Sequence, residues 1–410
     1  MLKKSLLAIA TIGAFAGSAV AADVTVYGLV DYGFNYQHVD ADIAGVDAQD
    51  NFDMRSGMNS GSRFGLKGSE DLGNGLTVGF VLENGFDADT GALGFDDRIF
   101  GRESQVYLAG NFGTVSFGRM GQLTSANGTY GLLNGDFSPF SGGWADSIGA
   151  KFLFASGYAR FDNMITYKSP EFAGLNVFAQ YSFENDSVTE GAGNGDEGKS
   201  NTDRYYGIGA KYKNGNLALV GIVDQMNYKT EGNNEDQLTG TLGASYDFGV
   251  VKTYLLGQYF KDARNVGQKS ALGGEIAWGG ANGLKFGTSG YGTMSVTDAA
   301  KKTTTYTAAM EGYGLALGAS VPAFGGTFLG QIGYMDADNN GGEPAVEFGV
   351  DVKRWNVSLG YTYSLSKRTS VYAAAAYTKD DVKINDEGNV NEFSADPTRT
   401  EVVAGLIHKF

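Results

Sequence analysis

The feature that most constrains this chain is a period-two alternation of apolar and polar residues that continues from Val24 almost to the C-terminus. It occurs in stretches of about ten residues separated by Gly, Asn and Asp, which is the pattern of half-exposed strands with turns between them. Helical spacing is hard to find anywhere in the chain. No linker or change of composition divides it, so the sequence predicts one all-β domain.

We count about 18 such stretches and interpret each as a strand. Short turns between them alternate with long acidic connections. This sorting is typical of an up-and-down barrel inserted from one side of a membrane, whereas a soluble sandwich has no reason for it. The strands begin near Val24, Ser62, Leu76, Phe100, Thr114, Arg160, Leu175, Arg204, Asn216, Leu238, Val251, Ala271, Leu284, Thr305, Thr327, Val350, Ser370 and Thr400. The short connections are 71–75, 110–113, 213–215, 248–249, 279–283 and 366–369, and the long ones are 39–59, 87–98, 184–203 and 380–398.

The two faces of individual strands differ in the way that a membrane barrel requires. In the stretch from Ser62 to Lys67, Phe64 and Leu66 point to one face, while Arg63 and Lys67 point to the other. Lipid cannot solvate a charge but a wet lumen can, so we place the apolar face outside. A soluble protein with a buried apolar face predicts the same alternation, so the pattern becomes specific only together with the strand count and the sorted connections. The predicted fold class is an all-β, transmembrane, antiparallel up-and-down β-barrel.

The composition argues against several classes of function. Thirty-one Lys and Arg against 46 Asp and Glu give a net charge of −15, whereas nucleic-acid binders usually carry a basic surface. The chain has no Cys for a thiolate metal site. Its two histidines, His38 and His408, lie at opposite ends, so no Ser–His pair is indicated. We predict that the protein is not an enzyme and uses no cofactor or metal.

The first 21 residues have the organisation of a secretory signal peptide. Lys3 and Lys4 precede an apolar run at 6–20, and Ala19-Val20-Ala21 matches a small-residue cleavage site. This run is shorter than the ~20 residues that a membrane-spanning helix needs, which argues against an anchor. We therefore divide the chain into a signal peptide, 1–21, and a barrel, 22–410.

Several short motifs occur in a familiar order along nearly the whole chain. The most specific is the run from Ser60 to Gly73, and the ending His408-Lys409-Phe410 is another. The chain resembles the general porin family of Gram-negative bacteria, in particular its betaproteobacterial type. The remaining matches are Val24-Thr25-Val26-Tyr27-Gly28, Phe117-Gly118-Arg119, Tyr167-Lys168-Ser169-Pro170 and Leu365-Ser366-Lys367-Arg368-Thr369.

The resemblance implies an outer-membrane homotrimer in which each subunit holds a water-filled pore for passive diffusion of ions and small hydrophilic solutes. The implied partners are outer-membrane lipid and lipopolysaccharide, and the assembly machinery that reads Phe410. Members of the family have 16 strands. Our count favours 18, with the surplus between Ala271 and Phe324. Eighteen strands would resemble sugar-specific porins, so a substrate-selective channel, for example for oligosaccharides, stays open as the alternative.

The family narrows its pore with a long third loop that folds into the barrel and carries carboxylates opposite basic residues on the wall. By resemblance this constriction loop is 121–157, with Asp136 and Asp146 on its acidic side. Aspartate also caps turns by accepting hydrogen bonds from nearby backbone N–H groups, so a purely structural role for both residues stays open.

Strand parity and the resemblance together select the basic side of the pore. Arg63, Lys67 and Arg160 match wall positions of the family, and Arg55 shares the parity of Arg63. Each of them could instead be a solvated charge at a strand end. Glu103 is expected to face the lumen, where with the acidic net charge it would make the wall favour anions less.

Overall fold

The structure is a computed structural model of the chain. It describes residues 24–43, 46–95, 97–141, 144–145, 147–149, 153–155, 160–186, 197–229, 236–264, 266–267, 276–278, 282–286, 291, 293–297, 303–307, 309–339, 348–386 and 392–410. The predicted signal peptide, 1–21, and the predicted site residue Asp146 lie outside these ranges. Within them, no helix has both the length and the apolar character needed to cross a membrane.

Twenty-two strands are formed by the described residues, and they are numbered here in chain order. They are β1 (Thr25–Asp40), β2 (Gln49–Ser56), β3 (Arg63–Gly73), β4 (Leu76–Gly85), β5 (Glu103–Gly110), β6 (Gly113–Gly121), β7 (Arg160–Lys168), β8 (Leu175–Ser182), β9 (Arg204–Asn214), β10 (Leu217–Asn227), β11 (Gln237–Asp247), β12 (Lys252–Ala263), β13 (Ile276–Trp278), β14 (Asn282–Phe286), β15 (Thr293–Thr297), β16 (Thr303–Thr307), β17 (Met310–Ala323), β18 (Gly326–Asn339), β19 (Phe348–Ser364), β20 (Thr369–Asp386), β21 (Glu392–Ala395) and β22 (Thr398–Lys409).

Most of these strands belong to one closed antiparallel barrel. An 18-stranded sheet contains all of them except β13 to β16. Within it, β3 and β2 pair with consecutive parts of β1, and β22 and β21 pair with consecutive parts of β20. Each of these two pairs is one interrupted strand, so the wall has sixteen strands. The barrel closes where β22 pairs with β1, from Leu29 opposite Lys409 to Asp40 opposite Thr398.

The count of 18 barrel strands was therefore wrong. The two surplus stretches, predicted to begin near Ala271 and Leu284, fall in the connection between β12 and β17, which pair directly with each other. In this connection β13 has three residues, β14 to β16 have five each, and the four pair in a sheet of their own. A membrane-spanning strand needs about 9–11 residues, so none of the four could cross. Alternation identifies a strand but does not identify its partner.

The predicted sorting of the connections is found in the barrel, except that the predicted short turn 279–283 lies within the long connection between β12 and β17. Short turns such as 110–113 and 214–217 lie at one end of the barrel, and the long connections lie at the other. Along β19 the outward side chains, such as Trp355 and Leu359, are exposed and apolar, while the alternate ones, such as Asn356 and Ser358, are buried and polar. Over this part of β19 the outer face is apolar and the inner face is polar.

The seam that closes the barrel depends on a glycine in the first strand. Gly28 N–H donates to the carbonyl of Phe410 at 3.2 Å, and Phe410 N–H donates back to the carbonyl of Gly28 at 3.1 Å. A Cβ added at Gly28 would lie 2.4 Å from Cζ of Phe410 and 2.5 Å from the carbonyl oxygen of Arg63. The last residue therefore packs directly on the first strand, and there is no space for a side chain between them.

Gly28→Ala is expected to lower the free energy of unfolding by roughly 1–3 kcal/mol, the usual range for overpacking. The phenyl ring of Phe410 can rotate away from the added methyl group. The carbonyl of Arg63 belongs to the backbone and cannot. Gly240→Ala is the matched control, because a Cβ added at Gly240 meets nothing within 4 Å. Thermal unfolding, followed by the change in electrophoretic mobility of the folded barrel, measures both variants. Equal midpoints for the two would contradict the prediction.

Candidate functional site

Three arginines from separate parts of the chain meet around one aromatic ring. Arg102 precedes β5 and Arg160 begins β7, and their guanidinium carbons lie 5.8 Å and 5.0 Å from the centre of the Phe95 ring. Arg63, at the start of β3, lies nearby and shares a carboxylate with Arg102. Phe95 has positive φ (59°), and a Cβ at Gly85 or Gly101 would meet its side chain at 2.6 and 2.5 Å. The ring is held in place by close packing.

The carboxylate shared by two of these arginines is Glu83 of β4. Arg102 Nε donates to Glu83 Oε1 at 2.6 Å, and Arg63 Nη1 lies 3.9 Å from the same oxygen. Tyr27 donates its hydroxyl to the other oxygen at 3.1 Å. Arg63 is oriented further by donating to the carbonyl of Gly61 at 2.8 Å. The Arg63 side chain keeps 17% of its surface exposed, against 9% for Glu83, so the accessible charge of this pair is positive.

A second carboxylate, Asp162 of β7, holds two more arginines beside the first group. Arg98 Nη1 donates to both Asp162 oxygens, at 2.8 and 2.9 Å, and Arg119 Nη1 donates to Oδ1 at 2.6 Å. Arg98 also donates to Asp186. Arg119 Nε donates to the carbonyl of Gly101 at 2.8 Å. These charge-assisted hydrogen bonds fix the connection between β4 and β5 against β6 and β7.

Glu103 lies on the predicted face but its carboxylate is occupied by protein donors. The residue is 2% exposed. Its Oε1 accepts hydrogen bonds from Gln105 Nε2 at 2.5 Å and from the backbone N–H of Thr129 at 3.2 Å. Thr129 belongs to the connection between β6 and β7. Glu103 therefore holds this connection to the wall, and its charge is screened from solution.

The other basic residues predicted from parity are found in two different environments. Lys67 of β3 is exposed, with its Nζ 5.2 Å from the centre of the Tyr27 ring. Arg55 is half-buried and lies on β2, opposite Gly33 of β1 in the barrel wall. The structure thus brings Arg63 and Arg160 together at one place, whereas Arg55 lies further along the first hairpin.

Asp136, in the connection between β6 and β7, lies among lysines rather than opposite the arginines. Its Oδ2 accepts from Lys211 Nζ at 2.8 Å, and its Oδ1 lies 3.5 Å from Lys213 Nζ and 3.8 Å from Lys252 Nζ. Burial alone would raise the pKa of Asp136. The hydrogen bond from Lys211 and the positive charges of the three lysines outweigh burial, so its pKa lies below the ordinary aspartate value.

Asp136 is therefore expected to make stability depend on acid pH. A lowered pKa in the folded protein means that the carboxylate stabilises the fold above its unfolded pKa of ~3.9, and that this contribution is lost as pH falls through the lower, folded value. The unfolding midpoint of the parent protein should exceed that of Asp136→Asn by the largest amount at neutral pH. This difference should disappear on acidification. A difference that stays constant across this range would contradict the assignment. Asp89→Asn, in an exposed turn, is the control.

Other residues of the same connection contact strands from several parts of the barrel. Ser147 donates from its backbone N–H and its hydroxyl to Glu401 Oε2, at 2.5 and 2.7 Å. Ser138 Oγ donates to Gln331 Oε1 at 3.0 Å. The apolar residues of the connection pack in two clusters. One includes side chains of β10, β12 and β18, and its members from the connection include Leu123, Leu132, Leu133, Phe137, Leu153 and Phe154. The other includes side chains of β20 and β22, and its members from the connection are Phe140, Trp144, Ala145 and Ile148.

Comparison with known proteins identifies the family. A family model described as Gram-negative porin matches residues 6–383. This chain belongs to the Gram-negative porin family. It is 33% identical to an outer membrane porin protein of Bordetella pertussis over 100% of both chains. It is also 33% identical to outer membrane porin protein 32 of Delftia acidovorans, over 92% of this chain and 90% of the relative. A solved anion-selective porin from Comamonas acidovorans is 27% identical, with a TM-score of 0.62, over 95% of this chain and 100% of that one.

The family, the relatives and the fold agree on what this porin does. It is an outer-membrane β-barrel that forms a pore for the passive diffusion of ions and small hydrophilic solutes. Members of the family are channels rather than enzymes. The resemblance noted from the short sequence motifs is confirmed.

Several members of the arginine site were missed by reasoning from the sequence. Glu83 and Asp162 both lie within predicted strands, and their parity indicated only which face they occupy. Phe95 and Arg98 lie in a long connection, for which alternation predicts nothing. The one available signal was the density of charge at 97–103, where Arg98 and Arg102 lie between Asp97 and Glu103.

Proposed function

We propose that the connection 121–157 folds into the lumen of the porin and forms its constriction. This connection joins β6 to β7, yet it contacts Lys211 of β9, Gln331 of β18 and Glu401 of β22. These three residues alternate with exposed apolar neighbours on their strands, so they belong to the inner face. A segment that contacts the inner faces of strands so far apart around the barrel has to run across the lumen.

The charge that solutes meet beside this loop is, in our proposal, mainly positive. Arg63 is half-buried and Lys67 is exposed, so both keep contact with water. Arg160 adds its positive charge from a more covered position, since its Nε and Nη2 are buried. The carboxylates that would oppose them are more deeply buried, Glu83 beneath Arg102 and Glu103 beneath Thr129. A pore wall of this kind attracts anions and repels cations. The sequence predicted a weaker preference for anions because it counted Glu103 as a lumenal charge.

The remaining site residues take supporting roles in this proposal. Asp136 lies on the acidic side, but its three lysine neighbours neutralise most of its field. Asp146 belongs to the same loop and would share that side. Arg55, on β2, lies opposite Gly33, whereas Arg63 lies opposite Leu29, so Arg55 would contribute to the field on the side of Arg63 toward the long connections.

We also propose that the porin assembles as a homotrimer, with its outer surface in contact with lipid and lipopolysaccharide. Small side chains on the outer face of β20, at Ala373 and Ala375, would let a neighbouring barrel approach closely. The place of Phe410 at the seam agrees with a role in barrel assembly, where the terminal strand is read before closure.

Planar-bilayer recording of the refolded porin under a KCl gradient tests the proposed selectivity. A reversal potential toward that of chloride is expected, and one toward that of potassium would contradict it.

Replacing residues 127–149 with a short Gly-Ser linker should raise the single-channel conductance if this loop is the constriction. An unchanged conductance would contradict that assignment. Block by maltooligosaccharides would instead favour a substrate-selective channel.

A further inference from the structure

The inner wall of the barrel changes character at the end that carries the long connections. On β18, β19 and β20 the inward side chains there are apolar, although the wall of a water-filled pore is normally polar. They are also at most 2% exposed, so they are covered by other protein atoms. The residues are Met335, Ala337, Val350, Val352, Val382 and Ile384.

A tyrosine from outside the barrel sheet is bound at this apolar region. Tyr291 lies in the connection between β12 and β17, and it is fully buried. Its hydroxyl donates to Asp380, and its ring centre lies 5.7 Å from the guanidinium carbon of Arg354. Arg354 and Asp380 are paired across β19 and β20 and form two hydrogen bonds of 2.7 and 2.8 Å. Their side chains are each 1% exposed.

The same connection is held at a second place by backbone contacts. Tyr291 N–H donates to the carbonyl of Val266 at 2.9 Å, and Val266 pairs with Ala155 of the 121–157 loop. A Cβ at the neighbouring Gly267 would lie 2.9 Å from Met335 Cε, so the backbone lies directly on the apolar wall. Tyr291 beside Arg354 and Asp380, and Gly267 beside Met335, therefore place these parts of the connection against the inside of the barrel.

We propose that Val266, Gly267 and Tyr291 of the connection between β12 and β17, here called the strap, are bound to the inner wall and narrow the outer mouth of the pore. The strap adds a second size limit for solutes, in series with the constriction. The strap buries the apolar side chains of the wall. If these side chains faced lumenal water instead, the fold would lose the stabilisation that their burial provides. The binding of the strap is argued from the contacts of Tyr291 with β19 and β20. Its place in series with a constriction rests on the proposed role of the 121–157 loop.

Thiol labelling tests whether the strap covers the wall. The chain has no Cys, so Val352→Cys and Lys67→Cys each create a single thiol on the inner wall. A charged, water-soluble thiol reagent should modify Cys at 352 at least about tenfold more slowly than Cys at 67, because a buried group reacts only after local opening. Equal labelling rates would overturn the proposal. In a Tyr291→Ala background the rate at 352 should rise toward the rate at 67.

Single-channel recording tests whether the strap limits passage. Tyr291→Ala should raise conductance and admit larger polyethylene glycols, and Tyr291→Phe, which loses only the hydroxyl, should have a smaller effect. Tyr313→Ala, on the exposed outer face, is the control for loss of a tyrosine. Unchanged conductance and unchanged labelling in Tyr291→Ala would overturn the proposal. If Tyr291→Ala does not fold, the proposal is still tested by the conductance of Tyr291→Phe and by the labelling rates at 352 and 67 in the otherwise native protein. Unchanged conductance together with equal labelling rates would overturn it.

Discussion

Asp380→Asn is expected to lower the free energy of unfolding of the porin by roughly 3–5 kcal/mol, the cost of removing one partner of a buried ion pair. Arg354 and Asp380 are each 1% exposed, so water cannot replace the lost carboxylate. The change also removes the charged acceptor of the Tyr291 hydroxyl. Unfolding of the refolded barrel in urea, within detergent micelles, measures the change through the midpoint.

An exposed ion pair serves as a control that separates the effect of burial on the free energy of unfolding from the effect of pairing itself. Lys379 and Asp396 form an ion pair at 2.8 Å, but their side chains are 45% and 48% exposed. Asp396→Asn makes the same chemical change at a similar distance, and its effect should be far smaller because water screens the pair. The double variant Arg354→Met with Asp380→Leu should recover most of the loss, since it leaves no buried charge. Similar losses for Asp380→Asn and Asp396→Asn would contradict the argument.

Arg63→Ser is expected to reduce the preference of the pore for anions by about fivefold. A unit charge ~4 Å from a passing ion contributes ~1 kcal/mol even at the dielectric constant of water, and this is about a fivefold change in ion population. Among Arg63, Arg98, Arg102 and Arg119, which each pair with a carboxylate, Arg63 has the longest separation, at 3.9 Å, so the carboxylate cancels its field least. The reversal potential under a KCl gradient measures the change.

The control for Arg63→Ser removes the same charge elsewhere. Lys367 lies exposed in the short turn between β19 and β20, at the end of the barrel opposite the long connections. Lys367→Ser should leave the reversal potential nearly unchanged, because a charge beyond a Debye length of ~10 Å is screened. A shift as large as that of Arg63→Ser would mean that net charge, rather than the arginine cluster, sets selectivity.

Sequence reasoning located the strands of the wall well. The starts predicted at Arg160, Leu175 and Arg204 coincide with those of β7, β8 and β9. This succeeds because a strand with one lipid face and one wet face needs strict alternation, and because turn residues stand close to its ends. It failed between Ala271 and Phe324, where alternating residues form short strands that pair with each other.

The site was predicted less completely, because parity specifies a face but not a neighbour. Arg63 and Arg160 were identified, and they do lie near each other. Glu83, which binds Arg102 and neutralises part of the field, was not identified. Glu103 was placed on the correct face, but its burial beneath Thr129 depends on a loop that approaches it from elsewhere in the chain.

The sequence by itself determined the class of fold, the face that each wall residue occupies and the end at which the long connections lie. All three follow from a local period of two and from nearby turn residues. Only the tertiary structure decided that the wall has sixteen strands, that Glu103 is covered and that Tyr291 meets Asp380. These depend on contacts between residues 26 to 89 positions apart or on closure of the whole sheet, and no local pattern encodes such pairings.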